Sequence, residues 1–175
     1  IDSTAWMETY DFTKAVRAIQ DFVIDELSNW YVRRSRRRFW AMELTQDKID
    51  AYRTLQLVLV EVCKLIAPIM PYLAEELYTS LTGEESVHLV NYPTPDNSLI
   101  DKALETEMQL VIDIVSLGRA ARNDCQIKIR QPLGTMHLPI RTMDTVQRMF
   151  ELIQEEVNIH NVNYIDRKST RLNSS

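Results

Sequence analysis

The densest chemistry in the chain lies in Asn29-Trp-Tyr-Val-Arg-Arg-Ser-Arg-Arg-Arg-Phe-Trp40, where Arg33, Arg34, Arg36, Arg37 and Arg38 are set among Trp30, Tyr31, Phe39 and Trp40. A guanidinium meets a phosphate through two hydrogen bonds and stacks on planar rings, and an aromatic face takes up an unstacked base. Together these are what RNA recognition asks for. On a helix, Arg34 and Arg37 would continue the face of Leu27 and Trp30, so an apolar stripe would turn cationic within one turn and break the local pattern. The same residues also fit a structural role, with the arginines paired to the acidic stretch from Glu75 to Asp113 and the aromatics capping a core. That stretch holds nine acidic residues against the single cation Lys102, in a chain of net charge −5. An acidic protein with one dense basic patch suggests an anionic partner bound at a defined place.

A second basic group comprises Arg119, Arg122, Lys128 and Arg130. Arg119 and Arg122 suit the negative end of a helix dipole. Lys128 and Arg130 alternate with Ile127 and Ile129, which on an extended segment puts both charges on one face, available either to solvent or to a phosphate backbone.

The search for catalytic groups is mostly negative. His88, His137 and His160 are isolated and lack metal-ligand spacing, and Cys63 and Cys125 form neither a Cys-x-x-Cys pair nor a disulfide framework. No Gly-rich phosphate loop occurs. The pairs Glu75-Glu76 and Glu84-Glu85 fall on helix or turn surfaces, where nothing raises a carboxyl pKa for acid-base work. No catalytic residue and no bound metal are expected.

These residues must be positioned by helices. Phe12, Val16, Ile19, Val23, Leu27 and Trp30 predict a long helix from about Asp11 to Trp40, and Ile49, Tyr52, Leu55, Leu59, Val62 and Ile66 another from about Asp47 to Ala67. Pro71 opens a third and Gly83 closes it. Short connections make these three an antiparallel bundle. The β-leaning segment Ser86 to Tyr92 leads into a loop marked by Pro93 and Pro95. A fourth long helix follows, with the stripe Leu104, Met108, Val111 and Val115 and with Gly118 at a point of close helix approach. Beyond Arg122, extended segments through Ile127–Leu138, a short helix from Asp144 to Val157 and a strand from Asn158 to Asp166 predict a small α/β appendage. The fold class is therefore mainly α: residues 1–122 as the bundle, 123–168 as the α/β subdomain, and 169–175 as a polar tail, disordered or vector-derived.

Composition agrees with that outline. A hydrophobic share of 45% over 175 residues can bury a core, and only three glycines suit a helical protein. No apolar run is long enough to span a bilayer and the N-terminus lacks signal-peptide regions, so a soluble cytoplasmic protein with no membrane partner is expected.

Several segments carry a resemblance: Asp11-Phe-Thr-Lys-Ala-Val-Arg-Ala-Ile-Gln20, Leu27 to Trp40, Ala67-Pro-Ile-Met-Pro-Tyr-Leu-Ala-Glu-Glu-Leu77, Gly118-Arg-Ala-Ala-Arg-Asn123 and Ile127-Lys-Ile-Arg-Gln-Pro-Leu133, with Ser86-Val-His-Leu89 similar in style. In this order, over about residues 9 to 133, they resemble the anticodon-binding domain of isoleucyl-tRNA synthetases, class I aminoacyl-tRNA synthetases. The Pro-x-x-Pro-x-Leu-x-Glu-Glu pattern is shared with the valyl and leucyl relatives, whereas Arg-Gln-Pro-Leu looks most like the isoleucyl branch and its eukaryote-like subtype. The resemblance implies a domain that grips the anticodon side of tRNA, with Arg33, Arg34, Arg36, Arg37, Arg38, Trp40, Lys128 and Arg130 as candidate contacts. It implies as partners an isoleucine-specific tRNA and the catalytic and editing domains of a longer chain, to which ATP and magnesium belong. The His-Ile-Gly-His and Lys-Met-Ser-Lys-Ser elements of that catalytic domain do not occur here: His88 and His137 precede Leu, His160 precedes Asn, and no lysine precedes methionine. The residues in hand are thus expected to bind tRNA without aminoacylating it. A valyl or leucyl counterpart, or a helical protein-interaction module, is the alternative.

Overall fold

The computed structural model describes residues 3–166, so the expectation for the tail at 169–175 lies outside the described residues. The chain forms two compact units, dividing between Pro95 and Asp96. The first contains α1 (Ser3–Glu8), α2 (Phe12–Asp21), a π-helical segment (Phe22–Val32) that runs straight into α3 (Arg33–Trp40), then α4 (Gln46–Ile66) and α5 (Pro71–Thr82). The second contains α6 (Lys102–Asp124), β1 (Leu133–Pro139), α7 (Met143–Arg148), α8 (Phe150–Val157) and β2 (Ile159–Ile165). The expected boundary after Arg122 falls inside α6.

Helix ends in the first unit follow local chemistry. Asp11 caps α2 by accepting the Lys14 amide, and Thr45 caps α4 by accepting the Lys48 amide. Pro71 sits in the first turn of α5, where its missing N–H is no loss, and Gly83 ends that helix in the left-handed region at φ +73°. The core of this unit gathers Ile19, Val62, Cys63, Ile66, Ala67, Ala74, Tyr78 and Val87. Ser86 to Leu89 is not β-like as expected; Val87–Leu89 is a 3₁₀ turn. Its cause lies in α5: one Glu75 carboxylate oxygen accepts from the Ser86 hydroxyl at 3.0 Å and the Val87 amide at 2.9 Å, drawing Val87 into the core.

The long first helix is continuous but not uniform. A four-residue step overshoots a full α-helical turn by about 40°, whereas i→i+5 bonding, seen where the Arg33 amide reaches the Ser28 carbonyl, winds more slowly. The mixture keeps every fourth residue inward: Ala15, Ile19, Leu27 and Ser35 are buried, and Val23, Tyr31 and Phe39 half-buried. The inward register therefore passes through Tyr31 and Ser35, not through Arg34 and Arg37 as a uniform α-helix would have it.

In the second unit, Asp101 caps α6 through the amides of Ala103 and Leu104. The helix packs on α7 and α8, burying Val111, Ile114, Val115 and Gly118 on its own side and Val146, Ile153 and Val157 opposite. A Cβ on Gly118 would stand 3.0 Å from a Val157 methyl, which is the close helix approach its position predicts. The expected single helix from Asp144 to Val157 breaks at Met149 into α7 and α8. β1 and β2 pair in parallel, Leu133 opposite Ile159 and Leu138 opposite Tyr164, with α7 and α8 as the crossover. Among the described residues no helix is long and apolar enough to cross a membrane.

Candidate nucleic-acid interface

The five arginines of α3 have separate fates. Arg33 donates through Nε to the Asn29 carbonyl at 2.7 Å, and the Arg34 guanidinium lies 5.5 Å from the Trp30 ring centre. Arg36 is exposed and lies 5.8 Å from the Trp40 ring, which is itself 77% exposed. Such a cation beside an open indole leaves a face on which a base can stack. Arg37 is exposed and has no hydrogen-bond or ion-pair partner among the described residues. Arg38 is committed to a partner within the chain. Its Nε and Nη2 donate to the two carboxylate oxygens of Asp47 at 2.8 and 2.7 Å, and Nη2 reaches the Asp47 carbonyl at 3.0 Å. That carboxylate holds the Arg38 pKa above its ordinary value.

The neighbouring aromatics divide in the same way. Tyr31 donates its hydroxyl to the Ala51 carbonyl at 3.0 Å, and Phe39 rests against the Tyr52 ring at 4.9 Å, so both serve the junction of α3 with α4. Only Trp40 of the four presents most of its surface outward. The structural alternative raised for the arginines is thus realised for Arg38, though with Asp47, which lies outside the acidic stretch at 75–113.

The second basic group does not lie on an extended segment. Lys128 to Gln131 forms a turn, closed by the Gln131 amide on the Lys128 carbonyl at 2.9 Å. Alternation fails because Arg122 reorganises the backbone. This guanidinium is buried, 4% exposed, and donates to the carbonyls of Lys128 at 3.2 Å, Gln131 at 2.9 Å and Asn158 at 2.8 Å. Asn158, left-handed at φ +54°, donates its side-chain Nδ2 to the Ile129 carbonyl at 3.0 Å. Lys128 and Arg130 end up exposed on that turn. Arg119 is also engaged, pairing with the buried Glu156. The helix dipole accounts for the position of Arg119 and Arg122 but not for these partners, which lie from six (Lys128) to 37 (Glu156) residues away in sequence.

Residues 1–137 match the family described as the anticodon-binding domain of tRNA ligase. The chain belongs to this family. Among its relatives are the isoleucine–tRNA ligases of Porphyromonas gingivalis, 47% identical over 167 residues, and of Clostridium acetobutylicum, 47% identical over 165 residues. That of Clostridium tetani is 48% identical over 162 residues, covering 89% of this chain. The first two cover 91% of it. The chain spans only 14–16% of the length of these relatives.

Within the anticodon-binding domain, α3 gathers Arg33, Arg34, Arg36, Arg37, Arg38 and Trp40, whereas Lys128 and Arg130 belong to the other unit. Asp47, Lys48 and Tyr52, which hold the end of α3, were not singled out from sequence as functional. An acidic residue in the first turn after a basic helix end is the one local signal that pointed to Asp47. Arg122 carried no signal of burial at all. Among the described residues no group of three or more His, Cys, Asp or Glu side chains could hold a metal ion.

Proposed function

We propose that this domain binds the anticodon side of isoleucine tRNA within a longer cytoplasmic isoleucine–tRNA ligase. The observation that carries the reading is the exposed end of α3, where Arg37 stands without a partner among the described residues beside the Arg36–Trp40 contact. Arg36 and Arg37 meet phosphates, Arg33 and Arg34 flank them, Trp40 takes a base, and Lys128 with Arg130 forms a secondary contact. The names of the relatives favour isoleucine over the valine and leucine counterparts. Amino-acid activation, with its ATP and magnesium, and editing belong to other domains of the longer chain.

Binding of the 175-residue chain to isoleucine, valine and leucine tRNAs at one salt concentration, followed by a salt titration with the first, tests the reading. Isoleucine tRNA should bind tightest, and about three phosphate contacts should give a slope of log affinity on log salt of roughly −2 to −3. Equal weak binding to all three, or no dependence on salt, would remove the proposal and favour a protein-interaction module.

A further inference from the structure

The linker between α3 and α4, residues 41–45, has no regular structure, and three large apolar side chains at or within it, Trp40, Met42 and Leu44, point largely into solvent. These three side chains therefore do not fix the corner. Besides the Phe39–Tyr52 ring contact, its shape comes from polar ties that run from the first two turns of α4 back to the last turn of α3 and its capping residue. Asp47 grips Arg38 through both carboxylate oxygens. Lys48 donates through Nζ to the Ala41 carbonyl at 2.6 Å, with its ammonium 6.0 Å from the Tyr52 ring. Tyr52 donates its hydroxyl to the Phe39 carbonyl at 3.2 Å while its ring lies against Phe39.

The Phe39 and Ala41 carbonyls are at the end of α3, where an α-helix leaves its last acceptors without internal donors. Here side chains of the next helix supply the donors, and no glycine cap is used. The consequence is directional. With Arg38 turned onto Asp47 and Phe39 onto Tyr52, the remaining residues of that turn, Arg36, Arg37 and Trp40, are the exposed ones.

We infer that Asp47, Lys48 and Tyr52 are positioning residues for the nucleic-acid interface: they meet no RNA themselves but hold the end of α3 so that Arg36, Arg37 and Trp40 are displayed together. This rests on the tRNA-binding reading above. The ties are solvent-exposed and add little to global stability; their effect is to preorganise a surface that would otherwise have to be ordered on binding.

The test uses Asp47→Asn, Asp47→Glu and Tyr52→Phe in the 175-residue chain, with an isoleucine tRNA transcript as probe and backbone hydrogen exchange as a second readout. Asp47→Asn should weaken binding roughly tenfold and Tyr52→Phe roughly threefold, because ordering moves into the binding step. The salt slope should stay unchanged, since no phosphate contact is removed. Exchange should quicken at residues 39–45 and nowhere else, and Asp47→Glu should recover most of the affinity. Unchanged affinity despite faster exchange would overturn the inference while leaving tRNA binding intact. So would tighter binding with a slope steeper by about one, which would make Asp47 a mere competitor with phosphate for Arg38. Failure of the unaltered chain to bind would bring down the parent reading and this inference with it.

Discussion

The Arg122 guanidinium reaches the Asn158 carbonyl at 2.8 Å, tying the last turn of α6 to the residue that ends α8 and precedes β2. The same carbonyl accepts the Leu133 amide at 3.1 Å, so one buried side chain sets where both strands begin. Replacing Arg122 by Met keeps much of the volume but leaves carbonyls short of a donor, which should destabilise the chain by about 2–4 kcal/mol. Urea unfolding checks this. A variant within about 0.5 kcal/mol of the parent would show that Arg122 is dispensable.

Gly118 makes the opposite kind of contact, by having nothing there. A Cβ at that position would meet Val157 methyls at 3.0 and 3.1 Å and the Met136 methyl at 3.2 Å. Met136 can swing away, but Val157 is buried and β-branched. The helical gain of Gly118→Ala, about 1 kcal/mol, is outweighed by overpacking of about 1–3 kcal/mol. A net loss of about 1 kcal/mol is expected. Combining it with Val157→Ala should recover part of that loss, visible as a coupling of at least about 0.5 kcal/mol in a double-mutant cycle.

The two thiols should differ sharply. Cys63 is buried in the core of the first unit, and burial pushes its thiol pKa up, so little thiolate is available. Cys125 is exposed at the end of α6. Labelling of the native chain with a thiol reagent should modify Cys125 quickly and Cys63 only on unfolding. Equal native-state rates would contradict the burial of Cys63.

The arginines of α3 separate by their salt dependence. Arg37→Gln should flatten the slope of tRNA binding by about 0.7–0.9 and leave the melting temperature in place. Arg38→Gln should weaken binding without altering the slope, since Arg38 already holds Asp47. Equal flattening by both would place Arg38 on a phosphate.

Acid should loosen the start of α2. The side-chain bond to Lys14, then the Lys14 amide, hold the Asp11 carboxyl below its ordinary 3.8. A pKa depressed in the folded state contributes stability above the unfolded value and loses it as pH falls through the folded one. Protection of the Lys14 amide, its exchange measured against the intrinsic rate at the same pH, should therefore fall below about pH 4 in the parent chain. In Asp11→Ala it should be low throughout. Protection that stays constant across this range in the parent would exclude the cap.

Much of this protein was fixed by signals that sit next to each other in the chain. Pro71 and Gly83 bound α5, Thr45 and Asp101 start α4 and α6, and the alternation after Asn158 gives β2, because breakers, caps and periodicity act through bonds a few residues apart. The family of the domain was legible for the same reason, in runs such as Leu27 to Trp40. Which arginine faces solvent was not. Arg36, Arg37 and Arg38 are alike in type, and their fates depend on π-helical winding upstream and on Asp47 across a turn. Nor could sequence give the 3₁₀ turn made by Glu75, the turn at Lys128 folded around Arg122, or the parallel pairing of β1 with β2. Each depends on a partner beyond the reach of local turn signals, from six residues away for Lys128 and Arg122 to 36 for Arg122 and Asn158, and such a bond exists only once packing has brought its two ends together.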